Sequence, residues 1–258
     1  LMDKYYSLTK TLILSGIQCE KKLWFDLNDK IKLKDKAIFR SGNKFNDVVR
    51  KHYGEGLDLS DEKEHQIVID STKKAIQSDN INVIYEAGFL FKKTFIRADV
   101  LIKKDNQWTM LEAKASTSVK DINISDLAIQ SFVVKNSGLD LIYNKIIHIN
   151  KEFIYKGDEN YKDLIVEVDI TKEVLAEENE VEHLINKFLP LKKSECPKKE
   201  IGSHCKDPYP CNYIDKCSPP DTDIENVSYR ILPYYGKKIE IYCKKNKIEK
   251  LKDIPKDL

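Results

Sequence analysis

The chain has 258 residues, 33% charged and 41% hydrophobic, with a formal net charge of +2, which places it in the soluble globular class. That length can bury a real core in one large domain or two small ones. No apolar run approaches the roughly 18 residues of a membrane span and no signal peptide precedes the first helix, so the expected location is cytoplasmic.

The near-zero net charge leaves nucleic acid open as a partner, because a basic groove beside an acidic metal site averages out. Leu1 stands before Met2, the expected natural start.

In chain order, Ser7 or Thr9 can cap a first helix carrying Leu12, Ile13 and Ile17. Cys19-Glu-Lys-Lys-Leu-Trp follows, with Leu23, Trp24 and Leu27 as an apolar side. Residues 35–53 show Ile38, Phe39, Gly42, Phe45, Val49 and His52 at three- and four-residue steps, predicting a second helix with Asn46 and Asp47 on its flanks. Residues 61–78 predict a third, with Ile67, Val68, Thr72, Ala75 and Ile76 on one side.

Val83–Phe91, containing Glu86, reads as a strand. Phe95 to Ala115 reads as two more, joined by a polar turn at Lys103–Gln107. Side chains two apart on a strand share a face. Trp108, Met110, Glu112 and Lys114 therefore point one way, and an apolar surface ends in a carboxylate and an ammonium. Burying such a pair is costly unless a metal, a phosphate or the pair itself matches the charge. Asp99, twelve residues and Glu112-x-Lys114 make the spacing of a PD-(D/E)xK nuclease site, where two carboxylates hold Mg²⁺ and the lysine activates or orients water. The plainer reading of E-x-K is a solvated cross-strand pair.

A helix is expected at about Ser125–Ser137, capped by Ser125, with Leu127, Val133 and Val134 on its apolar stripe. Gln130 falls on that stripe, and a buried amide needs partners. It reads either as a satisfied core glutamine or as a group over the metal site. A strand over Leu141–Asn150 and a helix capped by Thr171 and ended near Phe188 by Pro190 complete an α/β pattern. Val174, Leu175, Val181, Leu184, Ile185 and Phe188 are its expected inward side.

Residues 191–220 lack apolar periodicity and carry cysteines at 196, 205, 211 and 217. Such a segment has little core of its own and wants a staple. Cysteines in a reducing compartment point to metal or cluster ligation over disulfides. The spacing Cys205-x5-Cys211-x5-Cys217 is not a common zinc pattern. Three local thiolates plus a distant one match iron–sulfur ligation, with Cys19 the choice for the fourth and Cys196 its rival. Cys243 is expected to pack. The tail shows a strand-like Ser228–Leu232 and a basic stretch around Lys244–Lys252, read as a solvated face before a phosphate contact.

Together these motifs resemble the iron–sulfur branch of the RecB-type PD-(D/E)xK nucleases, similar to the CRISPR-adaptation and AddB-type nuclease domains and to a little-characterised bacterial family of the same build. The resemblance rests on Cys19-Glu-Lys-Lys-Leu-Trp, Ile96-Arg-Ala-Asp99, Leu111-Glu-Ala-Lys-Ala-Ser-Thr117, Leu127-Ala-Ile-Gln130 and His204-Cys through Cys217, in that order. It implies a restriction-endonuclease-like mixed sheet flanked by helices, with Asp99 and Glu112 as ligands of Mg²⁺ or Mn²⁺, Lys114 as catalytic lysine and Gln130 as the motif glutamine. It implies a structural [4Fe–4S] cluster on Cys19, Cys205, Cys211 and Cys217, with Zn²⁺ as the alternative.

The family's Gly-x-x-x-His is matched here by Gly42-Asn-Lys-Phe-Asn46, and asparagine is the weaker ligand. Asp47 or Glu86 is the candidate to complete the metal site, with Glu86 preferred. The implied activity is DNA hydrolysis, exonuclease over endonuclease, in repair or defence, with a helicase or a further domain as possible partner. A catalytically weakened nucleic-acid-binding module is the alternative. The expected layout is a helical part over 1–80, the nuclease core over 81–190, the cysteine loop over 191–220 and a basic extension over 221–258.

Overall fold

The computed structural model describes residues 7–31, 37–157, 160–217, 228–231 and 236–255, and of these the side chains of 37–43, 162, 231 and 236 are not described. Expectations for Ile38, Phe39 and Gly42 as side chains, for residues 35 and 36, and for Leu232 fall outside that range. The chain divides into two compact units. The first takes residues up to Leu14 and Leu33–Leu189, and the second takes Ser15–Lys32 and Pro190–Leu258.

The first unit is a mixed α/β fold with a central mixed sheet flanked by helices. Its strands are β1 (Leu8–Thr9), β2 (Leu57–Asp58), β3 (Val83–Phe91), β4 (Thr94–Lys104), β5 (Gln107–Lys114), β6 (Leu141–Ile149) and β7 (Ile165–Asp169). They run in the order β2-β3-β4-β5-β6-β7, with β1 pairing β4. β3, β4 and β5 form an antiparallel meander, β6 joins β5 in parallel, and β7 joins β6 antiparallel. The turn between β4 and β5 is tighter than the polarity of residues 103–107 suggests. Only Asp105 and Asn106 form it, both at positive φ, the two-residue hairpin geometry that suits Asp and Asn.

Helix α1 (Lys10–Gln18) follows β1 directly, and the boundary between the units falls inside it. Thr9 Oγ1 accepts the Leu12 N–H at 3.3 Å, as its capping position predicts. Helix α2 (Glu20–Asn28) belongs to the second unit. Helix α3 (Ala37–Tyr53) lays Phe45 and Val49 on one face of the sheet, against Val83, Tyr85, Val100, Leu111 and Ile147. Helix α4 (His65–Ile76) packs on β3, and α5 (Asp121–Asn136) packs on β3, β4 and β6 with α6 (Thr171–Phe188) against it. No described helix is long and apolar enough to cross a membrane.

Several boundaries differ from those read in the sequence. Ser125 does not cap α5, which starts four residues earlier: the Lys120 N–H donates to Asn123 Oδ1 at 2.9 Å. Thr171 is not the cap of α6. It is the first residue of the helix, after Ile170 at the cap position, and its N–H and hydroxyl both donate to Asp169 Oδ1, at 2.9 and 2.6 Å. Ile17, Ile67 and Leu175 are exposed, because a three- to four-residue step does not say where the buried stripe stops.

In the second unit, Gln18 Nε2 donates to the carbonyls of His204 and Tyr209, each at 2.8 Å. Phe25 stacks on Tyr213, whose hydroxyl donates to Asp26 at 2.6 Å. The short α7 (Ile214–Cys217) follows. Cys243, on α8 (Gly236–Lys245), is fully buried beside Tyr229, as its packing role requires. The expected strand at Ser228 is a single bridge to Lys250 followed by a 3-10 turn over Tyr229–Ile231.

Candidate active site and cysteine pocket

The registers of the meander place Glu86, Asp99 and Glu112 in one row across β3, β4 and β5. Pairing of β3 with β4 skips Glu86 and Asp99 and resumes unchanged, with Tyr85 opposite Val100 and Ala87 opposite Ala98. Pairing of β4 with β5 ends at Val100 and Leu111, one step short of Asp99 and Glu112. The strands part there, and the Asp99 side chain fills the break: its Oδ2 accepts the Ala113 N–H at 2.8 Å. Glu86 sits at the interruption with φ 56°, a left-handed conformation uncommon for a residue with a Cβ. Such outliers cluster at functional sites. Its carboxylate pairs with Arg97 Nε at 3.3 Å.

Glu112 is buried, 2% exposed, so the reading of Glu112 and Lys114 as a solvated surface pair does not hold. The Lys114 ammonium donates to Glu112 Oε1 at 2.7 Å and to Asp126 Oδ2 at 2.5 Å. Gln130, fully buried on α5, donates its amide N–H to Glu112 Oε2 at 2.8 Å and to Asp126 Oδ1 at 3.2 Å. Its Oε1 has no hydrogen-bond partner among the described residues.

Two members of this cluster were not read from the sequence. Lys10, the first residue of α1, donates to Glu112 Oε1 at 2.6 Å and lies 3.5 Å from Asp126 Oδ1. Asp126, buried on α5, joins Lys10, Lys114 and Gln130. Asp126 sits four residues before Gln130, a spacing that puts both on one helical face, and this signal was available.

The charges sort the two central carboxyls. Burial pushes Glu112 up, but Lys10 and Lys114 outweigh it and hold it ionised well below the usual carboxylate range. Burial, then the Glu112 charge, pushes Asp99 from its ordinary 3.8 up to about 8. Burial also raises Glu86. Burial works against charge on Lys10 and Lys114, yet Glu112 and Asp126 keep both protonated far above the ordinary lysine range.

The remaining candidates fall elsewhere. Asn46 is half-buried on α3. Asp47 is exposed and pairs with Arg50 at 3.6 Å one turn along its own helix, so it does not enter the cluster. Among the described residues, no group of three or more His, Cys, Asp or Glu is arranged as a ready metal site.

In the second unit, Cys19, Cys205, Cys211 and Cys217 line one pocket, with Lys21, Lys22, Lys199 and the apolar Phe25 and Ile201. Cys196 is not among its walls; its thiol lies 3.9 Å from the Pro197 carbonyl. None of the six cysteines is in a disulfide. Burial pushes the thiols of Cys205, Cys211 and Cys217 up.

No family model matches the sequence, and no curated protein matches it. Among solved structures, the chain is similar to LHK-Exo in complex with dAMP, with 10% identity and a TM-score of 0.41, covering 72% of this chain and 87% of that one. It is also similar to SSO0001, with 12% identity and a TM-score of 0.30, covering 71% and 78%. At these values neither likeness bears on what the site does.

Proposed function

We propose that the chain is a metal-dependent nuclease that hydrolyses the phosphodiester bonds of DNA, with its centre at Asp99, Glu112 and Lys114. One observation carries this reading: Asp99 and Glu112 share a row at the parted ends of β4 and β5, where the Asp99 Oδ2 accepts the Ala113 N–H, and burial, then the Glu112 charge, raises the Asp99 pKa. The donor set fits a hard divalent cation, which prefers carboxylate oxygen. Asp99 and Glu112 would hold Mg²⁺ or Mn²⁺, with Glu86 the candidate third carboxylate of the row.

When bound, the cation supplies Lewis acidity and stabilises the negative charge of the reacting phosphate. Lys114, fixed by Asp126, orients the attacking water. The water oxygen forms the new P–O bond as the P–O bond to the sugar breaks, and the proton the water gives up balances the one the leaving oxygen takes to become an alcohol. Gln130 holds Glu112 in place through its amide N–H, and its unpartnered Oε1 offers an acceptor for a bound water. Positioning and charge stabilisation are the main requirements of phosphoryl chemistry.

The cysteine pocket is read as the seat of a structural [4Fe–4S] cluster. Four thiols share it, and three lysines beside them offset the charge that four thiolates bring. Zinc is the alternative occupant, and analysis of anaerobically purified protein for iron with sulfide, or for zinc, separates the two.

Cleavage of labelled single- and double-stranded DNA with Mg²⁺ and with Mn²⁺ tests the nuclease reading against Lys114→Ala. Cutting that falls at least about 100-fold in the variant supports it. No cutting by the parent chain with either metal overturns it and favours a binding module, for which Asn46 in place of histidine is the motivating residue.

A further inference from the structure

Lys10 stands out because nothing in its local sequence marks it as functional. We propose that Lys10 is a second catalytic cation, one that occupies the cation position on Glu112 until a divalent ion takes it and then turns to the phosphate. This rests on the nuclease reading above.

Every oxygen of Glu112 is occupied by an N–H donor. Oε1 receives both ammoniums, from Lys10 at 2.6 Å and Lys114 at 2.7 Å, and Oε2 receives Gln130 at 2.8 Å. Both lone pairs of Oε1 are taken by the two ammoniums, so a metal ion that binds this oxygen displaces one of them. Lys114 has a second short bond, 2.5 Å to Asp126 Oδ2. Lys10 has only a longer pairing of 3.5 Å with Asp126. Lys10 is therefore the donor whose displacement loses least.

Its backbone cannot leave with its side chain. Leu8 and Thr9 pair with Thr94 and Phe95 of β4, the strand that carries Asp99. A displaced ammonium on this anchored stem stays at the site, partly exposed, with 22% of its side chain open to solvent. Two ammoniums then divide the work: Lys114, held by Asp126, orients water, and Lys10 meets the charge that develops on the phosphate oxygens.

The plainer reading is a buried salt bridge kept for stability. Losing one partner of a buried bridge leaves the other charge uncompensated and is destabilising, so a melting temperature alone does not separate the readings. The two readings diverge in Lys10→Met. Titration followed by the electron paramagnetic resonance of free Mn²⁺ should show this variant binding Mn²⁺ about tenfold more tightly, since a competing unit charge within a few ångströms is gone. DNA cleavage at saturating Mn²⁺ should fall about 100-fold. Lys10→Arg, which keeps the charge, should restore part of the cleavage.

A merely structural lysine would instead weaken Mn²⁺ binding and cleavage together, with a lower melting temperature. Mn²⁺ affinity that is unchanged or weaker in Lys10→Met, or full cleavage at saturating Mn²⁺, overturns the proposal. Absence of cleavage in the parent chain overturns the nuclease reading and the catalytic role with it. The Mn²⁺ titration still shows separately whether Lys10 occupies the cation position on Glu112.

Discussion

The Asp99 carboxylate accepts the backbone N–H of Ala113 at 2.8 Å, so a β4 side chain stands in for the ladder bond that the diverging strands no longer make. Asp99→Asn keeps an acceptor at that place and removes the titration. Burial, then Glu112, raises the folded pKa of Asp99 above its ordinary value. Between that value and about 8, the folded chain binds a proton that the unfolded chain releases, so stability falls as pH rises through this window. Thermal melts of the chelator-treated protein should show the variant gaining on the parent from pH 5 to pH 9, about the range the shift spans. A constant difference would refute the assignment.

Gln130 is the sole donor to Glu112 Oε2 among the described hydrogen bonds. Gln130→Leu should lower stability by about 1–3 kcal/mol, because a buried carboxylate oxygen loses its partner. Denaturant unfolding measures this. A neutral result would mean that water or a lysine replaces the amide.

Gly88 has no room for a side chain. A Cβ there would lie 2.6 Å from Cγ1 of the fully buried Val68 on α4. Gly88→Ala should cost about 1–3 kcal/mol by overpacking, read as a lower melting temperature. The pair Gly88→Ala with Val68→Ala should recover part of the overpacking cost, separable in a double-mutant cycle.

The cysteines should split by position. Cys205→Ser and Cys19→Ser should lose bound iron, or zinc if that is the occupant, whereas Cys196→Ser should keep it, since only the first two line the pocket. Metal analysis of the three purified variants decides this, and metal loss in Cys196→Ser alone would reverse the ligand choice.

The meander was legible in the sequence because its signal is local. Period-two alternation from Trp108 to Lys114 fixes which side chains share a face, and the polar stretch 103–107 marks the turn but not its two-residue length. Gln130 was legible for the same reason, as a polar residue on an apolar stripe. Lys10 was not, because its partner Glu112 lies 102 residues away and no spacing rule reaches that far. β7 was missed too: Ile165–Asp169 is a half-exposed edge strand, and its short alternation gives little pattern. Asp47 lies on the flank of its helix as its spacing reads, exposed, with Arg50 one turn away as its ion partner.

Glu86 holds a backbone conformation that glycine would adopt more easily, by about 1–2 kcal/mol. A search for more stable variants is therefore expected to return Glu86→Gly, and each such gain would remove a carboxylate from the row it shares with Asp99 and Glu112. At this position thermal robustness and an intact acidic row pull in opposite directions, so a thermostabilised form of this protein should first be sequenced at residue 86.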